Sequence, residues 1–546
     1  MTRQTAARHL VDSLVINEIT HVFCVPGESY LPVLDALYDV RDRIQLISCR
    51  HEAAAANMAE AYGKLTGRPG VCMVTRGPGA TQGAVGVHTA FQDSTPMIYL
   101  IGQVARSMMD REAFQEIDYR QFFASTAKWA GQIDQASRVT EYMHRAFATA
   151  INGRRGPVVL ALPEDMLAEE ADAPAPLRVV ETPPAAGPKA MLQFERLLRE
   201  ARRPLLLVGG GGWSLLATER LKTFVQDTGL PVAATFRSKD LIDNCHPNYI
   251  GDVGIAPNPA LADRIRASDL LIALGPRLGE MTTSGYELIR APNPEQGLIH
   301  IHPGADELGR VYWADVAINA SPDRFLVEAN RRRRDPNAAW ATQAHEGHEA
   351  YQAFSTPIEV KEGVNLSSVF GQLGDLAGPK AIICNGAGNY AAWLHRFHRH
   401  RGYKTQLAPT SGAMGYGFPA ALAAKAAQPD RTVVCVAGDG CFMMASNELA
   451  TAMQYNLPVI VLVVNNGSYG TIRMHQERDY PGRISGTNLV NPDFKAYAES
   501  FGAHGERVAN DDAFPDAFER ARKSGKPAVI ELVTSAREIA PGRRLG

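Results

Sequence analysis

Short, unbroken apolar runs alternate along the chain with longer stretches in which apolar residues return at helical spacing. In the first part the runs centre on Val22, Ile47, Val71 and Ile98, separated by amphipathic stretches near Leu34, Ala59 and Val85. In the middle they are Leu205-Leu206-Leu207-Val208, Leu270 to Leu274 and Leu298 to Ile301. The last part carries Ala381-Ile382-Ile383-Cys384, Thr432 to Ala437, Pro458 to Val464 and Ala528 to Leu532. A strand covered on both faces has no polar side to show, so continuous apolar runs predict parallel sheets sandwiched between helices. The expected fold class is α/β, with doubly wound parallel sheets.

Two stretches break the alternation. Ala168 to Ala190 is rich in Pro, Ala and acid and reads as extended linker, and Asp335 to Glu359 is polar and carries His345 and His348. They divide the chain into expected domains at 1–167, 191–334 and 360–546. A length of 546 residues agrees, since it is too long for one core.

Composition adds exclusions. A net charge of −2 gives no reason to expect nucleic acid or an anionic membrane as partner. The basic run Arg331-Arg332-Arg333-Arg334 reads as a solvated helix end. Seven cysteines, among them Cys24, Cys49, Cys72, Cys384 and Cys435 in apolar strands, show no paired spacing. Reduced thiols in the cytoplasm are expected. The start lacks an apolar signal core, and no run approaches the roughly 20 apolar residues of a membrane span.

The candidate chemistry lies just past strand ends. Gly438-Asp439-Gly440 follows one apolar run, and Asn465-Asn466 follows the next. Asp439, the side-chain oxygen of Asn466 and the backbone carbonyl of Ser468 are hard oxygen donors that suit Mg²⁺, with phosphate oxygens completing its shell. Gly440 lets an anion approach the backbone, and a helix read as Phe442 to Tyr455 would turn its N-terminal amides toward it. In the first part, Arg50-His51-Glu52 opens an alanine-rich helix straight after a strand. A glutamate there can merely compensate the helix dipole. Downstream lie Thr75-Arg76-Gly77-Pro78-Gly79-Ala80-Thr81, Asp93-Ser94-Thr95-Pro96 and Ala113-Phe114-Gln115-Glu116.

Together these segments resemble the thiamine-diphosphate-dependent enzymes of the acetolactate synthase-like (pyruvate oxidase/decarboxylase) superfamily, along the whole chain. The resemblance implies a pyrimidine-binding domain, a central Rossmann-like domain and a diphosphate-binding domain, with thiamine diphosphate and Mg²⁺ as cofactors. Asp439, Asn466 and Ser468 become the metal ligands. Glu52 becomes the group that hydrogen-bonds the pyrimidine nitrogen. A carboxyl in an apolar cleft holds its proton more tightly, which lets it share one with the ring and activate the thiazolium carbon. Met414, in Thr410-Ser411-Gly412-Ala413-Met414-Gly415, takes the place of the wedge beneath the bent cofactor. Further cofactor contacts fall on Pro26, Gly27, Thr75, Gly386, Ala387, Gly388, Asn389, Ser411, Gly412, Gly438, Gly440, Cys441, Tyr469 and Gly470. In the resembling family the two halves of the site come from different subunits, so a homo-oligomer with interfacial active sites is implied.

On the substrate side Gln115 and Lys128 match acetolactate synthases and point to a 2-keto acid donor with a carbonyl acceptor. Glu28 stands where pyruvate decarboxylases carry an acid, a proton donor to an aldehyde product. The paired histidines of those decarboxylases are absent, and Tyr30, Phe114, Arg473, Met474 and His475 are the remaining substrate candidates. His475 replaces the tryptophan that selects the acceptor in acetolactate synthases. Val208-Gly209-Gly210-Gly211-Gly212 and Gly275-Pro276-Arg277 occupy stretches that hold FAD in that group, but Gly279-Glu280-Met281 and Gly251 to Ala256 depart from its pattern. A central domain without FAD is the expectation. The expected activity is carboligation of the acetolactate synthase type. A non-ligating decarboxylase or a C–C lyase acting on benzoins or 2-hydroxy ketones is the alternative. A silent cofactor-binding regulatory subunit is a third reading, against which Glu52, Asp439 and Asn466 all speak.

Overall fold

In a computed structural model, which describes residues 2–331 and 336–545, each of the three apolar series closes into a six-stranded sheet. All strand pairs in these sheets are parallel. The first sheet runs Gln45–Ser48, His21–Cys24, Gly70–Val74, Met97–Gln103, Pro157–Pro163, Trp129–Gln132. The last runs Gln406–Leu407, Ile382–Asn385, Val433–Gly438, Ile460–Asn465, Ala528–Val533, His504–Val508. Numbered from the first strand of its own domain, each of these two outer sheets has the order 2-1-3-4-6-5. The central sheet, from Tyr249–Asp252 through Pro204–Val208 to Val316–Asn319, has the order 3-2-1-4-5-6 of dinucleotide-binding folds.

This topology says where ligands belong. In an open parallel sheet a crevice forms beyond the carboxyl ends of the strands where the order reverses. In the first domain that point lies between His21–Cys24 and Gly70–Val74, followed by Val25 to Glu28 and Thr75 to Gly79. In the last it lies between Ile382–Asn385 and Val433–Gly438, followed by Gly386 to Asn389 and Gly438 to Gly440. Both predicted motif sets sit at these reversal points.

Three expectations about elements need correction. The first linker contains a strand, Glu170–Ala173, antiparallel to Thr2–Thr5, and its end enters the helix Pro188–Glu200. Most of the second is the helix Ala338–Phe354, which buries Trp340, Ala344, His348 and Tyr351 against the central domain. Those four positions make a helical stripe whose polar surroundings hide it in the sequence. The helix read as Phe442 to Tyr455 is broken: Asp439–Met443 ends, a 3₁₀ turn covers Ser446–Glu448, and Leu449–Gln454 resumes. Of the basic run, Arg332 to Arg334 lie outside the described residues.

The outer domains share one core. Apolar packing is continuous from Phe23 and Tyr62 through Phe418 and Leu422 to Val434. The helix Glu52–Thr66 lies along the helix Gly417–Ala427 at the centre of that contact. Polar groups are buried there as well. Glu60, with no exposure, accepts hydrogen bonds from Thr95 (2.6 Å) and Tyr416 (2.5 Å). The Lys64 ammonium contacts Glu60 at 3.2 Å, pairs with Asp93 and donates to the Ala408 carbonyl at 3.0 Å. Burial raises the pKa of Glu60 against the pull of Lys64. Burial alone would lower the pKa of Lys64, but Asp93 and Glu60 raise it overall.

All seven cysteines are unpaired, and Cys245 is the exposed one. Among the described residues no helix is long and apolar enough to cross a membrane. Removing the cation between Glu60 and Asp93 should strand two buried carboxylates. Lys64→Met is expected to cost about 3–5 kcal/mol, read as a lowered urea midpoint of the first unfolding transition.

Candidate active site

The last domain builds a cation and anion site from its strand ends. Asp439 is 2% exposed, and its carboxylate accepts from the Gly440 amide at 2.9 Å and from Asn491 Nδ2 at 2.7 Å. The amides of Gly467 and Ser468 also face it. Burial raises its pKa, and these donors offset part of the rise. Asn491 donates as well to Asn465 Oδ1 at 3.0 Å, and Asn465 Nδ2 donates to Glu531 at 2.7 Å. Of the paired asparagines, Asn465 therefore braces the loop from below, while Asn466 faces the cavity. Gly440 is required for a reason the sequence does not show: a Cβ there would lie 2.5 Å from the Tyr469 ring. Gly388, at φ +147°, turns the chain into the helix Asn389–Phe397.

Asp439, Gly440 and Asn466 line a cavity of about 230 Å³ together with Ala387, Gly388, Asn389, Gly412, Met414, Cys441, Ser468, Tyr469 and Gly470. Met414 is part of this lining. Gly386 lies at its edge, its amide donating to Tyr390 Oη at 3.1 Å. The Cys441 thiol is buried and ties the site together, accepting from Tyr390 (3.3 Å) and from the Gly415 amide (3.2 Å). Every residue of this lining lies between Val360 and Ile539.

The donor set fits Mg²⁺. One carboxylate, one amide oxygen and one backbone carbonyl are too few for a closed cage, and a magnesium ion completes its octahedron with phosphate oxygens. Among the described residues no cluster of three His, Cys, Asp or Glu converges to suggest another metal.

The first domain presents the complementary group. Glu52 is the first residue of its helix, His51 Nδ1 caps the Ala53 amide at 3.1 Å, and a methyl group placed on Gly79 would lie 3.3 Å from Glu52 Oε1. Thr75 bonds Ser29 at 3.0 Å and packs against Gly27, with Pro26 exposed beside them. The Gln115 carbonyl, at a left-handed residue (φ +67°), accepts from the Gly77 amide at 2.9 Å. This brings Ala113-Phe114-Gln115-Glu116 over the crevice, with Phe114 74% exposed.

Other candidates are placed elsewhere. Lys128 sits at the amino end of its strand, opposite the crevice edge, and donates to the Thr149 (2.5 Å) and Asn152 (2.9 Å) carbonyls at a helix end. Burial lowers its pKa to about 8. Its ammonium therefore caps that helix. Tyr30 is fully buried with its hydroxyl on the Val25 carbonyl, so it braces the loop, and it is not in the lining of the cavity around Asp439. Arg473 is paired with Glu477 at 2.8 Å rather than free for a substrate carboxylate. Ser411 lines the cavity between the domains and bonds Thr89 at 3.1 Å. Met474 approaches Asn389, and His475 is exposed on the same helix. Glu28 is held by Arg76 at 3.0 Å, which also contacts Glu164 at 3.3 Å.

Comparison with known proteins agrees with this geometry. Residues 4–122 match the N-terminal TPP binding domain, 193–329 the central domain and 386–532 the C-terminal TPP binding domain of thiamine pyrophosphate enzymes. The chain belongs to the thiamine pyrophosphate enzymes. It is 32% identical to the acetolactate synthase large subunit of Corynebacterium glutamicum, over 97% of this chain and 87% of that protein. It is 32% identical to the probable acetolactate synthase large subunit of Methanocaldococcus jannaschii, over 99% and 94% of the two chains. With the Escherichia coli acetolactate synthase isozyme 2 large subunit the identity is 29%, over 96% and 95%.

As in other thiamine pyrophosphate enzymes of this build, a central domain lies between the two cofactor domains, and here a second cavity of about 680 Å³ opens among all three. It is lined by Gly210, Gly211 and Gly212, by Arg277, and by Arg237, whose Nε and Nη1 are buried without a protein partner. The Gly210 to Gly212 turn and Arg237 are the groups of the central domain that would face a dinucleotide there, while Arg277 contacts Glu307 at 3.5 Å and donates to the Gln92 carbonyl at 3.0 Å. The expectation of a domain without FAD rests on the residue replacements alone.

Sequence reasoning missed Asn491, Glu531, Glu538 and Ile539, which come from distant or irregular segments and carry no local signal. Asn491→Ala, which removes a partner of the metal ligand, is expected to weaken Mg²⁺-dependent thiamine diphosphate binding about 10- to 100-fold. Asp439 must lose its proton to bind the cation. Affinity should therefore fall as pH is lowered through its raised pKa, and Asp439→Asn should abolish both the binding and its pH dependence. Calorimetric titration checks each.

Proposed function

We propose that the chain is a thiamine diphosphate- and Mg²⁺-dependent carboligase of the acetolactate synthase type. It decarboxylates pyruvate or a similar 2-keto acid and joins the remaining fragment to a second carbonyl, giving a 2-hydroxy ketone product. Near-full-length similarity to acetolactate synthase large subunits supports this. One observation carries it: two domains of the same strand order hold complementary chemistry at their reversal points, an acid in one and a cation-and-phosphate set in the other.

The cavity of the last domain contains no residue of the first. We infer that Glu52 meets the Asp439 site of a second copy, so a homodimer is the smallest active unit. When bound, the cofactor supplies a carbon acid that adds to a ketone and takes up electrons as CO₂ departs. Asp439, Asn466 and Ser468 would hold its diphosphate through the cation. Met414 would support its bend, and Glu52 would hold a proton at the pyrimidine nitrogen. Glu28, the acid that a non-ligating decarboxylase would use, is contacted by Arg76 at 3.0 Å. None of these steps is a redox step, so the reaction needs no flavin. The unpaired, mostly buried cysteines support a cytoplasmic location.

Incubation with pyruvate, thiamine diphosphate and Mg²⁺ should yield acetolactate; acetaldehyde as the main product would instead support the decarboxylase reading. Glu52→Gln should lower turnover about 10²- to 10⁴-fold with the fold intact. Co-expression of Glu52→Gln with Asp439→Asn tests the shared site. Random pairing of two chains should recover about a quarter of wild-type activity, because one of the two sites in each mixed dimer is intact. No recovery would mean that each chain works alone.

A further inference from the structure

We propose that Glu448, a residue of the diphosphate domain, is a positioning residue for Glu52. Its side chain has no exposure. Both carboxylate oxygens accept from the Arg50 amide, at 3.0 and 3.2 Å, and one accepts from the His51 amide at 3.0 Å. Thr451 donates to the other oxygen at 2.5 Å. Two neighbouring contacts lie alongside: the Ser48 amide donates to Tyr455 Oη at 2.8 Å, and Arg50 Nη2 donates to Gln454 Oε1 at 2.7 Å. The turn that delivers Glu52 from its strand is therefore held from the other domain.

The need for such a partner is physical. Between Gln45–Ser48 and the helix starting at Glu52, the Arg50 and His51 amides receive no backbone acceptor from sheet or helix. The Glu448 carboxyl supplies the missing acceptor for both amides and fixes the peptide plane just before Glu52; burial raises its pKa, and the Thr451, Arg50 and His51 donors offset part of the rise. The break in the helix after Met443 belongs to the same device, because it places Glu448 at the start of a new turn facing this loop.

This inference rests on the shared-site reading and gives it a consequence. The segment that begins with metal ligand Asp439 of a chain's own site ends on Glu448, which steadies the acid serving the partner's site. Each chain thus ties one site's cation loop to the other site's acid.

The test uses Glu448→Ala and Glu448→Gln in the full-length protein. In cofactor-free protein, hydrogen exchange at the Arg50 and His51 amides should quicken in Glu448→Ala and less in Glu448→Gln, which keeps one acceptor oxygen. With cofactor bound, exchange of its C2 proton for deuterium should slow on the order of 100-fold in Glu448→Ala, while thiamine diphosphate affinity stays near wild type. Complementation gives the sharpest reading. Glu448→Ala should restore activity when co-expressed with Asp439→Asn and should not when co-expressed with Glu52→Gln. It would then behave as an allele of Glu52 although it lies in the domain of Asp439. Grouping with Asp439, complementing both, or unchanged C2 exchange would overturn the proposal. If Glu448→Ala does not fold, Glu448→Gln carries the same comparison. Failure of Glu52→Gln and Asp439→Asn to complement each other would count against the shared site, while the amide and C2 exchange results would still decide the role of Glu448.

Discussion

Glu60, Asp93 and Glu448 are acids of one outer domain whose hydrogen-bonding partners include groups of the other. Glu60 reaches Tyr416, Asp93 reaches the Thr410 amide at 2.7 Å, and Glu448 reaches the Arg50 and His51 amides. A buried carboxylate tolerates few geometries, since losing a donor leaves a charge in a medium that cannot screen it. Apolar packing alone would let the helices Glu52–Thr66 and Gly417–Ala427 slide; the polar contacts select one register. Through that register Thr410 anchors the turn that ends in Met414, and Glu448 anchors the turn that starts Glu52.

The strand order supplies the second constraint. Because both outer sheets reverse between their first and third strands, each opens a crevice at the same place in its own frame. An acid in one and a cation site in the other are then complementary in a way that a second copy of the chain can satisfy. The central sheet, with the order of a dinucleotide-binding fold, contributes its carboxyl edge to a separate cavity. Arg237 crosses from there to the Gly386 carbonyl at 3.0 Å, so the central domain touches the diphosphate turn directly.

Side chains near the reaction are divided between chemistry and bracing, and the division is not readable from residue type. Asn466 faces the cavity while its neighbour Asn465 holds Asn491 and Glu531. Glu52 stands in the crevice while Glu28, two loops away, is engaged by Arg76. Asn465 finds its partners in distant segments, whereas Asn466 Oδ1 accepts from the Ser468 amide of its own turn at 3.1 Å.

The order of apolar runs, by itself, determined the α/β class, the three sheets and eleven of their eighteen strands, because a strand buried on both faces must be written as an unbroken apolar segment. Gly438-Asp439-Gly440, Asn466 and Glu52 were legible too, since each follows a strand end at a spacing that few folds need. Tertiary structure alone decided the rest. Lys128 became a helix cap and Tyr30 a loop brace because burial and a nearby carbonyl took up their polar atoms. The helix after Asp439 broke at Met444 and Ala445, where local propensity favours continuation. Glu448 was invisible in the sequence, as its partners lie nearly 400 positions away and are backbone amides, which every residue but proline carries.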